Sequence, residues 1–118
     1  MKLPVEIAFE RASVIADAFR DRGCWVPARS FEDNSPEEEK YGAKMMAVYS
    51  PRDWVGTLVV FASGKIRIWG EAKAMPLKKT MRELLTEMGL EQWIEPGGPT
   101  STLEPLFRGD PRRTSVND

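Results

Sequence analysis

Aromatic and basic side chains alternate with aliphatic ones in two neighbouring segments near the middle of the chain. The segments are Thr57–Phe61 and Lys65–Gly70, and Ala62-Ser63-Gly64 joins them. Aromatic rings stack on or wedge between nucleic-acid bases, and lysine and arginine side chains neutralise phosphates. Whether these residue types act together depends on which of them share one face of a sheet.

The length of the connecting loop decides how the two segments pair as a β-hairpin. A two-residue loop would place charged residues on both faces of the hairpin. A three-residue loop with Gly64 in the left-handed conformation pairs Phe61 with Lys65 and produces one wholly apolar face, so we predict that loop. This apolar face comprises Leu58, Val60, Ile66 and Ile68. The opposite face, called the aromatic face below, comprises Thr57, Val59, Phe61, Lys65, Arg67 and Trp69.

A strand predicted over Lys40–Tyr49 extends both faces. Side chains alternate along a strand, so Met46 and Val48 join the apolar face while Tyr41, Ala43 and Met45 join the aromatic face. A sheet face that combines aromatic rings with cations predicts nucleic-acid binding, most simply DNA binding. The residues predicted to form the binding site are Tyr41, Val59, Phe61, Lys65, Arg67 and Trp69.

The same region resembles one repeat of the TATA-box-binding protein family. The resemblance covers about residues 40–90 and rests on Phe61-Ala62-Ser63-Gly64-Lys65-Ile66, Gly70 and a helix that ends at Glu87-Met88-Gly89-Leu90. Lys40–Val48 and Pro51 are similar to the strand and turn that precede this unit in the family. The resemblance implies half of a saddle-shaped sheet that binds DNA.

The resemblance also implies roles for particular residues. In that family each repeat presents two phenylalanines that wedge between base steps in the minor groove, and Tyr41 and Phe61 stand at the matching positions. The family has two repeats and this chain has room for one, while Arg67 and Trp69 replace small apolar residues. We therefore expect a homodimer to supply the second repeat, because an unprotected sheet edge pairs readily and twofold pairing is the commonest oligomeric arrangement.

The composition argues against catalysis. The chain has no histidine, so it lacks the usual general base and the commonest zinc ligand. Its one cysteine, Cys24, has no histidine to activate it and is predicted to be a small buried residue. We expect no enzymatic activity, no metal and no cofactor. The lone cysteine fits a reducing cytoplasm, and no apolar run is long enough to span a membrane.

Positive charge is concentrated in the middle of the chain, although the net charge is −1. Residues 40–82 contain nine lysines and arginines against two carboxylates, which gives +7, and each flanking part carries −4. A local positive field of this kind would steer an anionic partner towards the sheet. The alternative interpretation is that a solvated sheet and helix are simply rich in lysine.

Two helices are predicted to support the sheet. The first runs from Pro4 to about Arg22, where apolar residues recur at helical spacing and Gly23 provides the end. The second begins near Pro76 and ends at Gly89-Leu90. Both present an apolar stripe, so both are expected to pack on the apolar face.

The segments before the central sheet are less regular. Trp25–Phe31 is predicted as a short strand that Pro27 confines to an edge, and Glu32–Glu39 as a solvated, mobile acidic loop. The predicted fold class is therefore α+β, with an antiparallel sheet of about four strands and two helices packed on one face. Residues 1–95 are predicted to form a single domain, and residues 96–118 a flexible tail in which Leu103, Leu106 and Phe107 could dock onto a neighbouring surface.

Two other functions are compatible with the aromatic face. Aromatic residues and arginine dominate the binding energy of protein–protein interfaces, so the face also fits an adaptor or an inhibitor of a host complex encoded by a virus. The face could instead be covered by the tail or by a partner subunit, which would leave it no binding role.

Overall fold

The computed structural model describes residues 2–95. The helices are α1 (Pro4–Asp21), α2 (Pro36–Tyr41) and α3 (Met81–Glu87), and the strands are β1 (Ala43–Tyr49), β2 (Trp54–Phe61) and β3 (Ile66–Glu71). Two short 3₁₀ turns cover Ala28–Phe31 and Glu91–Trp93. The predicted tail, residues 96–118, lies outside the described residues.

The fold is α+β, as predicted, but the sheet within the described residues has three strands instead of about four. The strands are antiparallel and lie in the order β1-β2-β3. The strand predicted over Trp25–Phe31 is wrong, because it is reduced to one bridge between Trp25 and Tyr49. Pro27 cannot donate to a ladder, and its carbonyl instead accepts from the Ser30 amide at 3.0 Å, which starts a 3₁₀ turn.

The predicted register of the central hairpin is confirmed. Val60 pairs with Ile66, and the Phe61 amide donates to the Lys65 carbonyl at 2.9 Å. Gly64 adopts a φ of +99°, which a residue with a side chain rarely adopts. The three-residue loop therefore places Leu58 and Ile68 on one face and the aromatic and basic residues on the other.

The apolar face forms the main core. The stripe of α1 is confirmed, and helices α1 and α3 pack with the apolar face in one cluster of buried side chains. Helix α3 begins at Met81 and not near Pro76, because Lys78 has a φ of +58° and the Thr80 hydroxyl accepts from the Glu83 amide at 3.2 Å to cap the helix there. Within the described residues, no helix is long and apolar enough to cross a membrane.

Both edges of the sheet have some of their backbone groups bonded. At β1, Tyr49 exchanges two backbone hydrogen bonds of 2.8 Å with Trp25, and the Met45 amide donates to Glu38 Oε2 at 2.8 Å. At β3, the Ile66 carbonyl accepts from the Glu95 amide at 2.8 Å. These bonds reduce the tendency of an open edge to pair with a second chain, and the homodimer stays a prediction.

Candidate binding face of the sheet

The structure brings the six predicted site residues to the same side of the sheet. Val59 and Phe61 alternate with the core residues of β2, and Arg67 and Trp69 with those of β3. Lys65 immediately precedes β3 and lies near the Glu95 carboxylate that also accepts from Arg67. Tyr41 differs from the prediction, because it is the last residue of α2 and not part of β1. It still reaches the aromatic face, where buried and half-buried apolar side chains form a second cluster: Tyr41, Ala43, Met45, Val59, Phe61 and Trp69.

The centre of the aromatic face is buried, although the sequence predicted an exposed face. Thr57 and Val59 have relative exposures of 0%, and Met45 is also buried. The rings of Phe61 and Trp69 are half-buried around them. The face therefore consists of an apolar floor with an aromatic rim, and the rim provides the part that a ligand could contact from solvent.

The arginine of the aromatic face, Arg67, already forms an ion pair with Glu95. Arg67 Nη2 and Nε donate to Glu95 Oε2 at 2.6 and 3.1 Å, and the arginine side chain is only 14% exposed. Lys65 Nζ lies 3.9 Å from the other oxygen of the same carboxylate and is largely exposed. Glu95 thus offsets the positive charge of Arg67 and Lys65, which the sequence analysis predicted to contact phosphates.

Lys44, another of the nine cations counted in residues 40–82, is buried away from the aromatic face. Its ammonium is 3.4 Å from Glu38 Oε2 and donates to the Asp33 carbonyl at 2.9 Å and to Asn34 Oδ1 at 3.3 Å. It also lies over the Phe9 ring, 5.4 Å from the centroid. Burial lowers the pKa of Lys44, and Glu38 partly opposes that shift. Lys44 is therefore a structural cation.

The pairing of Lys44 depends on α2, which corrects the prediction of a solvated loop over Glu32–Glu39. The Ser35 hydroxyl accepts from the Glu38 amide at 3.1 Å, and the Glu38 carboxylate accepts from the Ser35 amide at 2.8 Å. This reciprocal capping starts a helix, with Pro36 at a first-turn position and Gly42 at a φ of +62° at its end. The capping orients Glu38 towards both Lys44 and the backbone of β1.

Sequence reasoning missed further aromatic residues beside β1 and β2. Trp54 Nε1 donates to Thr57 Oγ1 at 3.1 Å, and its ring lies so close to Gly70 that a Cβ there would be 3.2 Å away. Trp25 stacks on Tyr49 with centroids 4.7 Å apart and an interplanar angle of 18°. The signal was present in the sequence, because Tyr49 ends one predicted strand and Trp54 lies three residues before the next, which begins at Thr57.

An apolar groove lies elsewhere, between α1 and the second 3₁₀ turn. It has a volume of about 240 Å³ and is lined by Arg11, Val14, Ile15, Val60, Gly64, Ile66, Leu90 and Trp93. Val14 and Trp93 are 69% and 41% exposed. The groove was not predicted. Its exposed apolar side chains make it a second surface that a binding experiment has to distinguish from the aromatic face.

Two further observations concern groups that could be reactive or bind a metal ion among the described residues. Cys24 is buried, as predicted, and burial raises the pKa of its thiol, which disfavours the nucleophilic thiolate. No group of three or more acidic, cysteine or histidine side chains is arranged to hold a metal ion within residues 2–95.

Comparison of the chain with protein-family models, with curated proteins and with solved structures found no match in any of the three. The resemblance to the TATA-box-binding protein family and its two-repeat saddle therefore stays a prediction from the residues quoted above. The geometry of the aromatic face supplies the basis for the function proposed next.

Proposed function

We propose that the protein is a non-enzymatic binding module that engages a protein partner through its aromatic face. The ligand is an extended segment whose apolar side chains contact Tyr41, Phe61 and Trp69 at the rim. The observation that carries this proposal is the pairing of Arg67 with Glu95 at 2.6 Å. A phosphate would have to displace that carboxylate, whereas an apolar segment would not.

The composition of the aromatic face also favours a protein partner. Aromatic residues and arginine are enriched where protein–protein interfaces concentrate their binding energy, and an apolar floor ringed by aromatic side chains excludes water from the contact. Phe61 and Trp69 retain exposed ring surface above the buried Val59. An arginine held by a neighbouring carboxylate is preorganised, so a partner would pay little entropy to order it.

Variants on the two surfaces test this proposal. Wild-type, Trp69→Ala and Val14→Ala proteins would be immobilised at equal density and exposed to extract of the source cells, and retained proteins quantified by mass spectrometry. We expect a specific protein that wild type and Val14→Ala retain and that Trp69→Ala loses. Val14 is the control because it is exposed in the apolar groove, whereas Trp93 lines both that groove and a cavity beside Lys65 and Arg67.

Two outcomes would contradict the proposal. Loss of the partner with Val14→Ala and retention with Trp69→Ala would assign binding to the apolar groove. Equal retention by all three proteins would show that the aromatic face contributes nothing to capture. Circular dichroism and urea unfolding of each variant would confirm that loss of the partner does not reflect unfolding.

DNA or another nucleic acid is the second candidate partner, and the exposed cations favour it. Lys40, Arg52 and Lys65 are exposed, and Lys40 Nζ lies 5.5 Å from the centroid of the Tyr41 ring. If phosphates are bound, affinity for labelled single- or double-stranded DNA would fall steeply between about 50 and 200 mM salt, because counterions are released on binding. Lys65→Ala would then weaken binding to all sequences alike. Salt-sensitive binding of that kind would replace the protein-partner proposal.

A further inference from the structure

The apolar groove between α1 and the second 3₁₀ turn reaches down to the main core. Val60 and Ile66 at its base are fully buried, and Ile15 is 7% exposed. Its sides include Val14 and Trp93, which remain in contact with solvent. A ligand that covered these apolar side chains would remove their surface from water, which is favourable. The apolar groove is therefore a candidate ligand site.

Arg11 is the only charged side chain among the described residues that line the apolar groove. Its Nε donates to the Ala62 carbonyl at 2.9 Å, which fixes the guanidinium beside the hairpin loop. A Cβ placed on Gly64 would lie 3.4 Å from Arg11 Nη1 and 3.4 Å from the Trp93 ring, so both groups lie against the same loop residue. Among the described side chains, no carboxylate forms an ion pair with Arg11. Its Nη groups can therefore bind an anion.

The surroundings of the apolar groove carry net positive charge. Trp93 also lines a neighbouring cavity. The charged residues of that second lining are Lys65, Arg67 and Glu95. With Arg11 included, the two linings contain three cations and one carboxylate among the described residues. Positive charge beside an apolar surface raises the local concentration of anions, so it favours a ligand that carries a negative charge.

The volume of the apolar groove, about 240 Å³, limits the size of that ligand. An apolar cavity of about 150 Å³ is large enough to bind benzene, so the apolar groove has room for one ring and a short chain. The planar fork of a guanidinium matches the two oxygens of a carboxylate. A ring against Trp93 and a carboxylate on Arg11 would together use both kinds of lining.

We propose that the apolar groove binds a small amphiphilic carboxylate, in which a short chain joins an aromatic ring to the acid group. The ring lies between Ile15 and Trp93, and the carboxylate accepts hydrogen bonds from Arg11. This site differs from the aromatic face and its ligand differs from the partner of the proposed function, so the inference stands independently of that function.

Titration with 4-phenylbutyrate, followed by NMR chemical shifts, tests the proposal. We expect saturable shifts of the Trp93 indole and Val14 methyl resonances, with a Kd of about 1 mM or tighter for a ligand of about twelve non-hydrogen atoms. The matched control ligand is the neutral 4-phenylbutanamide. It should bind at least about tenfold more weakly, because it cannot form a charge-assisted pair with the guanidinium.

Variants of the protein test the role of Arg11. Arg11→Gln should weaken binding of 4-phenylbutyrate at least about tenfold and leave that of the amide nearly unchanged. Arg52→Gln is the matched control, because it removes an exposed arginine from the turn between β1 and β2, and it should bind as wild type does. Val14→Asp, at a position that is 69% exposed, places a carboxylate on the side of the apolar groove and should weaken binding of the acid more than that of the amide. Urea unfolding would establish that each variant is folded.

Three outcomes would overturn the proposal. The first is equal affinity of wild type for the acid and the amide, and the second is unchanged affinity for the acid in Arg11→Gln. The third is a titration in which the Trp93 and Val14 resonances do not shift, including one in which only Met45 and Val59 respond. Capture of a protein partner that depends on Trp69 is a separate measurement, so the two proposals fail separately.

Discussion

Val59 and Val60 are neighbours in β2, both fully buried, but they lie on opposite faces of the sheet. Val60 packs in the main core with the apolar stripes of α1 and α3. Val59 lies in the small cluster with Met45, beside an arginine and three half-buried rings. Equal burial thus has two origins, one in the permanent framework of the fold and one in a surface with the composition of an interface.

Each face also has its own ion pair. On the side of the main core, the side chains of Lys44 and Glu38 are 1% and 7% exposed, and the Lys44 ammonium lies over the rings of Phe9 and Phe31. On the aromatic face, Arg67 and Glu95 are closer together but more exposed. A charge pair removed from water depends strongly on its geometry, because neither charge can recover its hydration while buried. The first pair therefore belongs to the framework, and the second, which stays partly hydrated, should contribute less to stability.

The largest difference in stability between variants of the two faces should come from a charge introduced into the main core. Ile66→Asp places an unpaired carboxylate among buried apolar side chains, which costs several kcal/mol, comparable to the stability of a small domain. We expect loss of the cooperative unfolding transition in urea, followed by circular dichroism. Lys65→Asp is the control one residue away, where the side chain is exposed. A folded Ile66→Asp protein would contradict the face assignment.

Removal of one partner from each ion pair should separate the faces further. Glu38→Ala leaves Lys44 buried without its carboxylate and should cost about 3–5 kcal/mol. Glu95→Ala removes hydrogen bonds to a more exposed arginine and should cost about 1–2 kcal/mol. Glu39→Ala, an exposed neighbour in α2, is the control and should change little. Equal losses for Glu38→Ala and Glu95→Ala would show that the two pairs do not differ.

The same substitution, phenylalanine to alanine, can be made in the main core and on the aromatic face, and its effect on stability compared. Phe19 is fully buried in the main core, so Phe19→Ala should cost about 3–5 kcal/mol. Phe61 is half-buried, so Phe61→Ala should cost less than that while it weakens partner binding. Urea unfolding would compare the two. A loss of about 3 kcal/mol or more for Phe61→Ala would assign the aromatic face to the permanent core.

The smallest expected effect is on the pH dependence of stability. Burial lowers the pKa of Lys44 in the folded protein, so the unfolded chain binds more protons at pH values between that lowered pKa and the ordinary lysine value of about 10.4. The free energy of unfolding should therefore gain from Lys44 as pH rises through this window. Lys44→Met should remove this contribution, and Lys65→Met, at an exposed site, should not. An identical pH dependence in wild type and Lys44→Met would contradict the effect.

The sequence predicts local geometry well where neighbouring residues determine it. The hairpin could be predicted because Gly64 and strict alternation leave one loop length that separates apolar from charged residues. Helix α2 could also have been predicted, since Ser35 and Glu38 have the spacing of a capping box and Pro36 stands between them. The run of carboxylates instead suggested a solvated loop.

The electrostatics of the candidate site could not be predicted in the same way. The pairing of Arg67 with Glu95 joins residues 28 positions apart, across a segment that contains α3. The burial of Lys44 requires Phe9 and Phe31, which come from other elements of the fold. Counting charges along residues 40–82 treats all nine cations as available, whereas tertiary contacts decide which of them face solvent.

The most direct test of the distinction between the faces is the solvent accessibility of the Val59 and Val60 methyl groups. Relaxation caused by a dissolved paramagnetic chelate would be measured in wild type and in a Phe61→Ala/Trp69→Ala variant, which removes two of the rings around Val59. We expect both valines to be protected in wild type, and relaxation of Val59 alone to rise several-fold in the variant. Protection of Val59 that is as complete in the variant as that of Val60 would show that both faces are permanent core and would contradict this account.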